Sequence, residues 1–540
     1  MQVCLIRVGW HTNEYNDLGN RMTGTEKLTK LRLVITENLR VQRGGADPVP
    51  YIDVGNVLND IRARQNHVVF ARRGCGKTLL LYHSSRQLNS SVKSVYLNCE
   101  DFKRHSFPNV LIEILDALFH ELEQHLTGWF GKKKRSRDII AGIRKELGTL
   151  RTRADTQEQS IRESIASETG SSLNGEVAAS RAPVSLRLGG GVTKTKKAET
   201  ERTYRILDDK IKELDTKLPG LKAQIREFFE LSTSVKAVFL QIDDFYHLNR
   251  VDQPLVMDYI HRLCKDLPLY FKITTLKHVT TLYAERQGQP IGAQERHDYQ
   301  PVNIDFTFSE FRRTREQNRR ILDEFGSLAD MNSAEMGDLF KGEGFDRLVL
   351  AGGGVPRDCL SLFLEVLETV QSAGGDGRIG KDDIRILSRS NFERRIQELK
   401  QDSEGREQDT LIRGIYVLRK FCIDRSTSVF LVSEQMIQQE DQIRSLIYRL
   451  LDYRIVHSAG SALTHKSQPG TFQAFAIDIG CYAHMRKLHG RFTELDLADA
   501  SAKEKMRSAP VLDATLFDEI WKAAPADAEK ALREQDEDAA

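Results

Sequence analysis

VVFARRGCGKTLLL, residues 68–81, decides the fold because it matches a phosphate-binding loop with one departure. The pattern G-x-x-x-x-G-K-[ST] requires glycine where this chain has Ala71, whereas Gly76, Lys77 and Thr78 occupy its later positions. A short apolar run precedes the loop and a helix-like run follows it. This order of strand, loop and helix is the context that the motif requires.

The glycines nearest the phosphates matter most for such a loop. Gly74 and Gly76 allow backbone angles and close approaches that a Cβ would block. Lys77 can reach the outer phosphates, and the Thr78 hydroxyl can bind magnesium. We therefore predict a working nucleotide site, although a chance Gly-Lys-Thr in a turn is the alternative. The predicted nucleotide-binding residues are Ala71, Arg72, Arg73, Gly74, Cys75, Gly76, Lys77, Thr78 and Leu79.

Bulk properties restrict the class of protein. A chain of 540 residues predicts about three domains, and a net charge of +2 gives no global argument for nucleic acid. The sequence shows no apolar run of membrane-spanning length and no signal-peptide pattern at its start, so we expect a cytoplasmic protein without a membrane partner. Seven scattered cysteines without a C-x-x-C pair fit a reducing compartment.

Five apolar runs predict a parallel α/β sheet. They begin near Val68, Val92, Val235, Leu269 and Pro301. Each is short enough for a buried strand, and helix-like segments separate several of them. The sheet is predicted to be parallel because helix-like segments can supply the crossover connections that parallel strands need.

An oversized insertion separates the second and third strands, over about residues 131–230. Ile139, Ile143, Leu147 and Leu150 recur at helical spacing, which predicts an inserted antiparallel helical hairpin. The hairpin tip, residues 168–197, is rich in Ser, Gly, Thr and Lys, and we predict that it is mobile. The basic run at 132–137 can contact phosphate backbones, although a solvated charged face is the more common meaning of such a run.

Paired carboxylates follow the third strand. Asp243 and Asp244 would emerge at the carboxyl end of a buried strand, where open α/β sheets bind ligands. Asp243 can hold the water shell of magnesium, and Asp244 can polarise the water that attacks a γ-phosphate. Two Asp residues at a strand end can also simply form a turn. Their combination with the glycine loop favours ATP and Mg²⁺ as ligands.

Together these motifs resemble the AAA+ ATPases. The loop, the acidic pair, the strand FKITT and the segment GGGVPRD are similar to the origin-recognition and replication-initiator branch, and also to related signal-transduction ATPases. The resemblance implies a P-loop AAA+ core with a five-stranded parallel sheet, a helical lid and a carboxy-terminal winged helix. It further implies Thr274 or Thr275 as the first sensor and Arg357 as the lid arginine. Arg286 and Arg296 are candidates for an arginine finger.

Three departures from the family pattern affect the expected activity. Ala71 replaces the first loop glycine, Asp244 stands where many AAA+ members have Glu, and the hairpin separates the loop from the acidic pair. Aspartate is one methylene shorter, so we expect slow hydrolysis and the behaviour of a switch rather than a motor.

The carboxy-terminal region predicts a winged helix, with two strands around a Pro469-Gly470 turn. Ile443, Leu446, Ile447, Leu450 and Leu451 would face its core. Gln442, Arg444, Ser445, Tyr448 and Arg449 would then lie outside, on a helix suited to the major groove, with Lys466 near the wing tip. The alternative is that this module packs on its own ATPase core or on a partner. The final residues, EQDEDAA, predict a disordered acidic tail.

These predictions divide the chain into five parts: an amino-terminal segment at 1–50, the AAA+ core at 51–310, the helical lid at 311–400, the winged helix at 408–490, and a terminal helix with an acidic tail at 491–540.

Two functions compete on this evidence. The first is an ATP-binding and slowly hydrolysing AAA+ switch that engages duplex DNA through the winged helix and assembles as a homo-oligomer under the control of ATP. The second is a STAND-like signalling scaffold, for example in antiviral defence against phage, whose winged helix docks protein and whose hairpin grips a protein partner. A degenerate ATPase with only a structural role is disfavoured because Lys77, Thr78 and Asp243 are all present.

Overall fold

The computed structural model describes residues 24–40, 49–124, 134–149, 212–374, 377–485 and 492–539, apart from single positions within these ranges. The predicted hairpin tip, part of the basic run at 132–137 and most of the amino-terminal segment lie outside the described residues. Among the described residues, no helix is long and apolar enough to cross a bilayer.

The first part of the chain forms the sheet and the helices that cover it. Its elements are α1 (Gly24–Asn38), α2 (Val57–Ile61), β1 (His67–Phe70), α3 (Lys77–Arg86), β2 (Val92–Asn98), α4 (Asn109–Gln124), α5 (137–149), α6 (212–231), β3 (Ala237–Asp243), α7 (Gln253–Cys264), β4 (Leu269–Thr275), β5 (Tyr283–Arg286), β6 (Gln289–Gly292) and β7 (Gln300–Asn303).

Five strands form one parallel sheet in the order β2-β3-β4-β1-β7. The five predicted strands are therefore confirmed, and so is the α/β class. Every residue of β1 and β3 is buried, which explains why these strands are continuous apolar runs without alternation. All five carboxyl ends lie at one edge of the sheet, so the loop after β1 and the carboxylates after β3 share that edge.

The insertion contains the predicted antiparallel helix pair. Ion pairs join Arg135, just before α5, to Glu227 on α6 at 2.6 Å, and Glu146 on α5 to Lys217 on α6 at 3.5 Å. The two helices therefore run in opposite directions. The apolar faces of both helices pack into the cluster that also contains α4 and α7. The base of the hairpin is therefore continuous with the core of the sheet domain.

A small antiparallel hairpin of β5 and β6 lies between β4 and β7, and the sequence analysis did not predict it. Gly292 closes its second strand at φ 109, where a Cβ would lie 2.0 Å from the Leu282 carbonyl oxygen. Only glycine fits this close approach.

Five helices form the lid: α8 (Phe311–Leu328), α9 (Ser333–Asp338), α10 (Gly344–Ala351), α11 (Pro356–Ser372) and α12 (Lys381–Asp402). Helix α1 packs against them, with Leu31 and Ile35 fully buried in their cluster. Lys27 also pairs with Glu335 at 2.7 Å. The segment from Gly24 to Asn38 thus packs as part of the lid, although the sequence analysis separated it.

The carboxy-terminal elements are α13 (Arg406–Asp424), β8 (Val429–Ser433), α14 (Glu434–Gln439), α15 (Asp441–Asp452), β9 (Val456–Thr464) and β10 (Thr471–Ile477), followed by α16 (Ala502–Met506), α17 (Ala514–Ala523) and α18 (Ala528–Ala539). We call the part from α13 to β10 the C-terminal unit. Its strands form an antiparallel sheet in the order β8-β10-β9, of which the sequence analysis predicted only β9 and β10, the two strands around the Pro469-Gly470 turn.

The prediction of a disordered tail is wrong. Helix α18 continues to Ala539 and packs on α13, where Ala528 and Leu532 are buried. The Leu532 carbonyl also accepts a hydrogen bond from the buried Arg419 at 3.0 Å. The sequence analysis considered only the acidic composition of the last residues and overlooked the apolar stripe with Ala528 and Leu532 just before them.

Candidate nucleotide site

The loop after β1 has the backbone that its glycines predicted. Gly74 and Gly76 both adopt φ 87, and α3 begins directly afterwards at Lys77. A Cβ on Gly74 would lie 2.8 Å from side-chain atoms of Val355 and Arg357, so glycine is required there for space as well as for conformation. The amino terminus of α3 presents its free N–H groups and positive dipole end to the loop, an arrangement suited to anions.

Ala71 is accommodated because its position still belongs to the sheet. Its N–H donates to the Thr275 carbonyl at 3.3 Å, which extends the pairing of β1 with β4 by one residue. Ala71 does not have a positive φ. A Cβ at this position therefore causes no conflict with the loop that follows.

Lys77 lies inside the loop with 5 % of its side chain exposed. Its ammonium donates to the carbonyls of Ala71 at 3.2 Å and Arg72 at 3.4 Å, and it lies 3.8 Å from the Asp244 carboxylate. Thr78 and Leu79 follow on α3, both half-buried. The ammonium is thus held at the centre of the loop, between the glycine backbone and the acidic pair.

The two carboxylates of the acidic pair differ in environment. Asp243 is fully buried and accepts hydrogen bonds from the hydroxyls of Thr274 and Tyr96, the latter at 2.9 Å. Asp244 lies at φ 52 with its side chain 23 % exposed. Burial raises the pKa of Asp244, while the nearby charge of Lys77 opposes that shift. Asp243 is therefore fixed by its neighbours, whereas Asp244 reaches open space beside the lysine.

The structure separates the two sensor candidates at the end of β4. The Thr274 hydroxyl bonds to Asp243 and accepts the Asp244 N–H at 3.0 Å. The Thr275 hydroxyl instead pairs with that of Thr280 at 2.6 Å. Thr274 thus joins the acidic pair, and Thr275 connects the same strand to the loop that leaves it.

The lid touches the loop at the predicted arginine. Helix α11 begins at Pro356, and the Arg357 N–H donates to the Gly74 carbonyl at 3.3 Å. The Arg357 side chain is exposed at the edge of the loop. Of the two candidates for an arginine finger, Arg296 has a side chain that is 80 % exposed and a backbone φ of 68. Its Nε lies 4.0 Å from the Glu295 carboxylate. Arg286 ends β5, and its side chain lies outside the described residues.

The side chains of Arg72 and Arg73 point away from the loop, so only their backbones can contribute to phosphate binding. Arg72 makes a bidentate pair with Asp305 at 2.7 and 2.8 Å and donates to the Gly353 carbonyl at 2.9 Å. Arg73 pairs with Asp402 and donates to the Tyr246 hydroxyl at 3.1 Å. Both side chains therefore link the loop to surrounding elements.

Asp305 was not recognised in the sequence, although it stands at the carboxyl end of the fifth strand, like the acidic pair after the third. Burial by itself would raise the pKa of Asp305. The charge and hydrogen bonds of Arg72 outweigh that effect, so the pKa lies below its ordinary value. Tyr96 was also missed because it lies within the apolar run that predicted β2. Arg454, whose contact with the loop is described below, has no local signal at all.

Two of the candidate DNA-binding residues are turned towards the rest of the protein. Tyr448 stacks on His278 with ring centroids 4.6 Å apart, and Arg449 pairs with Glu407. The expectation that both lie outside is therefore wrong in this structure. The apolar stripe of α15 is buried as expected, with Leu451 half-buried.

The remaining candidates are more accessible. Gln442 and Ser445 are exposed, and Arg444 is 39 % exposed beside Asp441. Lys466 is 48 % exposed and pairs with Glu504 at 3.0 Å. Accessible polar side chains are thus concentrated at the amino-terminal end of α15 and at the turn between β9 and β10.

The carboxyl end of α15 docks on the loop after β4. The Asp452 carboxylate accepts the N–H groups of His278 and Val279 at 2.8 and 2.9 Å. Burial raises the pKa of Asp452 to about 7. The C-terminal unit therefore contacts the loop that leaves the sensor strand.

Among known proteins, similarity to this chain is found in solved structures at low sequence identity. A scan against protein-family models finds no match, and a search of curated proteins also finds none. Solved structures with similarity include Drosophila ORC bound to DNA, at 12 % identity over 88 % of this chain and 96 % of that chain, with a TM-score of 0.32. The Aeropyrum pernix ORC1 protein in complex with DNA matches at 13 % identity over 89 % and 91 %, with a TM-score of 0.30. Thermotoga maritima RuvB (K64R mutant) matches at 16 % identity over 49 % and 74 %, with a TM-score of 0.22.

The strand order and the site geometry, rather than these matches, carry the fold assignment. A parallel sheet of order β2-β3-β4-β1-β7 bears the glycine loop after β1 and the carboxylates after β3, and a helical lid follows. This is the arrangement that the resemblance described in the sequence analysis predicted for the core.

Proposed function

We propose that this protein is an ATP-binding and slowly hydrolysing AAA+ switch whose C-terminal unit, as a winged helix, engages duplex DNA. The observation that carries the ATPase assignment is the loop at Gly74 and Gly76, closed around a buried Lys77 that faces Asp244. Glycines with positive φ, a central ammonium and a helix amino terminus are the parts that a polyphosphate requires.

The residues present fit a magnesium nucleotide. Within the described ranges, no three metal-ligating side chains converge, so the ion would be held mainly by phosphates and water. The Thr78 hydroxyl would bind it directly, and Asp243 would bind its water shell. When bound, the ion would neutralise charge that develops on the phosphates.

Hydrolysis would depend on Asp244. Its carboxylate, close to Lys77 and open on one side, would orient a water molecule whose oxygen bonds to the γ-phosphorus. The bond to the β–γ bridging oxygen would break as ADP leaves, and the proton of the attacking water would pass through Asp244 towards solvent. Lys77 would stabilise the growing charge on the transferred group, and Arg357 would contact the γ-phosphate from the lid. The short reach of aspartate supports a slow rate.

The DNA assignment is supported by the order of elements in the C-terminal unit and by its accessible side chains. Gln442, Arg444 and Lys466 are exposed or half-exposed at the end of α15 and at the wing turn, positions suited to the major groove and to phosphates. We further propose that ATP controls assembly into a homo-oligomer, with Arg286 or Arg296 as the arginine finger.

A second candidate function is the STAND-like signalling scaffold. The docking of Tyr448 and Asp452 on the core supports it, because this face of the C-terminal unit already packs against protein within the same chain. In that case the inserted hairpin would hold a protein partner.

The nucleotide site is tested with Lys77→Ala. We expect loss of hydrolysis and at least tenfold weaker binding of a fluorescent ATP analogue, because the variant removes the charge that faces the outer phosphates. Lys265→Ala is the matched control, since Lys265 is exposed at the end of α7, before the start of β4 and so at the edge of the sheet opposite to the loop. Equal turnover and binding in Lys77→Ala and the parent protein would refute the site.

A further inference from the structure

The phosphate-binding loop is held from three sides, and one of them is the C-terminal unit. Lys77 on the core holds the carbonyls of Ala71 and Arg72. Arg357 on the lid holds the carbonyl of Gly74 through its N–H. The carbonyl between these, that of Arg73, accepts a hydrogen bond from Nη1 of Arg454 at 3.1 Å.

We propose that Arg454 is a positioning residue for the nucleotide site, which holds the Arg73 carbonyl so that the Gly74 N–H faces the phosphates. This inference rests on the proposed ATPase function. A trans peptide points its C=O and N–H in opposite directions. An outward pull on the Arg73 oxygen therefore directs the next N–H inward, where a phosphate-binding nest needs its donors.

The position of the Arg454 guanidinium is fixed by further contacts. Its side chain is 3 % exposed, pairs with Glu398 through Nη2 and lies 3.4 Å from Asp358 through Nε. The Arg454 carbonyl also accepts a hydrogen bond from Arg395 at 3.0 Å. A guanidinium buried to this extent and paired with Glu398 and Asp358 has little freedom to follow a moving loop, so the loop must adapt to it.

The location of Arg454 gives the contact its consequence. The residue lies two positions after the end of α15, in the left-handed region at φ 62, and so belongs to the proposed DNA-reading module. The nucleotide site is then complete only while the C-terminal unit is docked. Because binding free energies are reciprocal, nucleotide must stabilise the docked unit by the same factor that docking strengthens nucleotide binding.

The substitution Arg454→Met tests the inference with little damage to the fold. Methionine has a similar length without charge or donors. Asp358 keeps its contacts with Arg395 at 3.1 and 3.2 Å, and Glu398 is 43 % exposed and can be hydrated. The matched control is Arg419→Met, because Arg419 is likewise almost fully buried and donates to the carbonyls of Cys481 and Leu532.

Two measurements distinguish positioning from general stability. Arg454→Met should weaken binding of a fluorescent ATP analogue by roughly tenfold, the order expected for one charge-assisted hydrogen bond. It should also raise hydrogen exchange in the loop peptide 68–81 without nucleotide, while Arg419→Met changes neither. Arg454→Lys should restore part of both properties, because an ammonium can still donate to the Arg73 carbonyl.

The possible results are separable. If the parent protein binds no ATP analogue, both the proposed function and this inference are overturned. If the parent binds and Arg454→Met binds equally well, or if Arg454→Met and Arg419→Met lose the same affinity, only the inference is overturned. If Arg454→Met does not fold, Arg454→Lys replaces it in the test. An Arg454→Lys variant with the loop exchange and ATP-analogue affinity of the parent supports the inference. An Arg454→Lys variant that binds the analogue as weakly as Lys77→Ala contradicts it.

Discussion

Asp244 has φ 52, in a region that few residues with a Cβ adopt, although Asp and Asn tolerate it best. The backbone turns sharply directly after β3, which brings the carboxylate back towards Lys77. Asp243, one residue earlier, remains in the strand and accepts hydrogen bonds from Thr274, Tyr96 and the Asp244 N–H. The neighbouring carboxylates are therefore suited to different roles, one fixed and one facing open space.

Asp244→Asn should leave nucleotide affinity close to that of the parent and lower turnover by about 100-fold, the usual range for a lost proton-transfer group. The amide has the same size and the same tolerance for positive φ, but it cannot accept a proton from water. Binding by fluorescence titration and turnover by phosphate release separate the two effects. Asp266→Asn is the control, since Asp266 is exposed and also adopts a positive φ, 65. An equal loss of affinity and turnover would instead make Asp244 a binding residue.

His457 gives the junction between core and C-terminal unit a dependence on pH. Its Nδ1 lies 3.4 Å from the Arg72 guanidinium, and its Nε2 lies 3.1 Å from Asp478. A neutral imidazole with its proton on Nε2 satisfies both neighbours. Burial lowers the pKa of His457 to about 4. Between pH 6.5 and 4 the unfolded chain thus binds a proton that the folded protein does not, so stability is lost as the pH falls.

We therefore expect the melting temperature to decrease as the pH is lowered from about 6.5 to about 4, with a total contribution of up to about 3 kcal/mol from this histidine. His457→Gln should flatten that dependence, because its amide can donate to Asp478 without titrating. His297→Gln, at an exposed position, is the control. A His457→Gln profile with the slope of the parent would assign the acid sensitivity to other groups.

At the scale of elements, the sequence predicted what is local. Five apolar runs marked the strands, and the loop and acidic pair were recognisable because each motif lies within a few consecutive residues. Asp305, by contrast, pairs with Arg72 across 233 positions, and Arg454 reaches Arg73 across 381. Such contacts depend on how the lid and the C-terminal unit pack on the sheet. The spacing of apolar residues along the sequence does not predict that packing. Helix α1 was misassigned for the same reason, since its amphipathic face could not indicate which element would cover it.

The lid should report the γ-phosphate through α11. Its first turn packs on Gly74, so a change in the loop reaches the lid without an intermediate element. Arg357→Ala should narrow the difference in affinity between ATP and ADP to within about threefold, because the lost charge would contact only the γ-phosphate of the longer nucleotide. Competition titrations with both nucleotides measure this, with exposed Arg312→Ala on α8 as control. An unchanged ratio would leave Arg357 with a backbone role only.

At the scale of the whole molecule, the C-terminal unit covers the carboxyl edge of the sheet. Asp452 caps the loop after β4, and Arg454 holds the phosphate-binding loop. This docked arrangement buries part of the helix proposed to read DNA. If that helix must meet the major groove with Tyr448, docking and DNA binding compete for the same face.

The competition is tested best from the core side, where no DNA contact is changed. His278→Ala removes the ring that stacks on Tyr448 but keeps the backbone N–H groups that bind Asp452, so docking is weakened rather than lost. We expect roughly 2- to 10-fold tighter binding to duplex DNA, the range that one aromatic pair supplies.

Arg444→Glu with Lys466→Glu should weaken DNA binding in the parent and in the His278→Ala background alike, by about 1 kcal/mol or more per lost phosphate contact, and should flatten the salt dependence. His297→Ala is the control for loss of an exposed histidine. If His278→Ala leaves DNA affinity unchanged while the charge reversals lower it, DNA is read from the exposed end of α15 without undocking. If the parent protein binds no duplex at low salt, the signalling scaffold becomes the better account, and the face around Tyr448 is then a protein-docking surface.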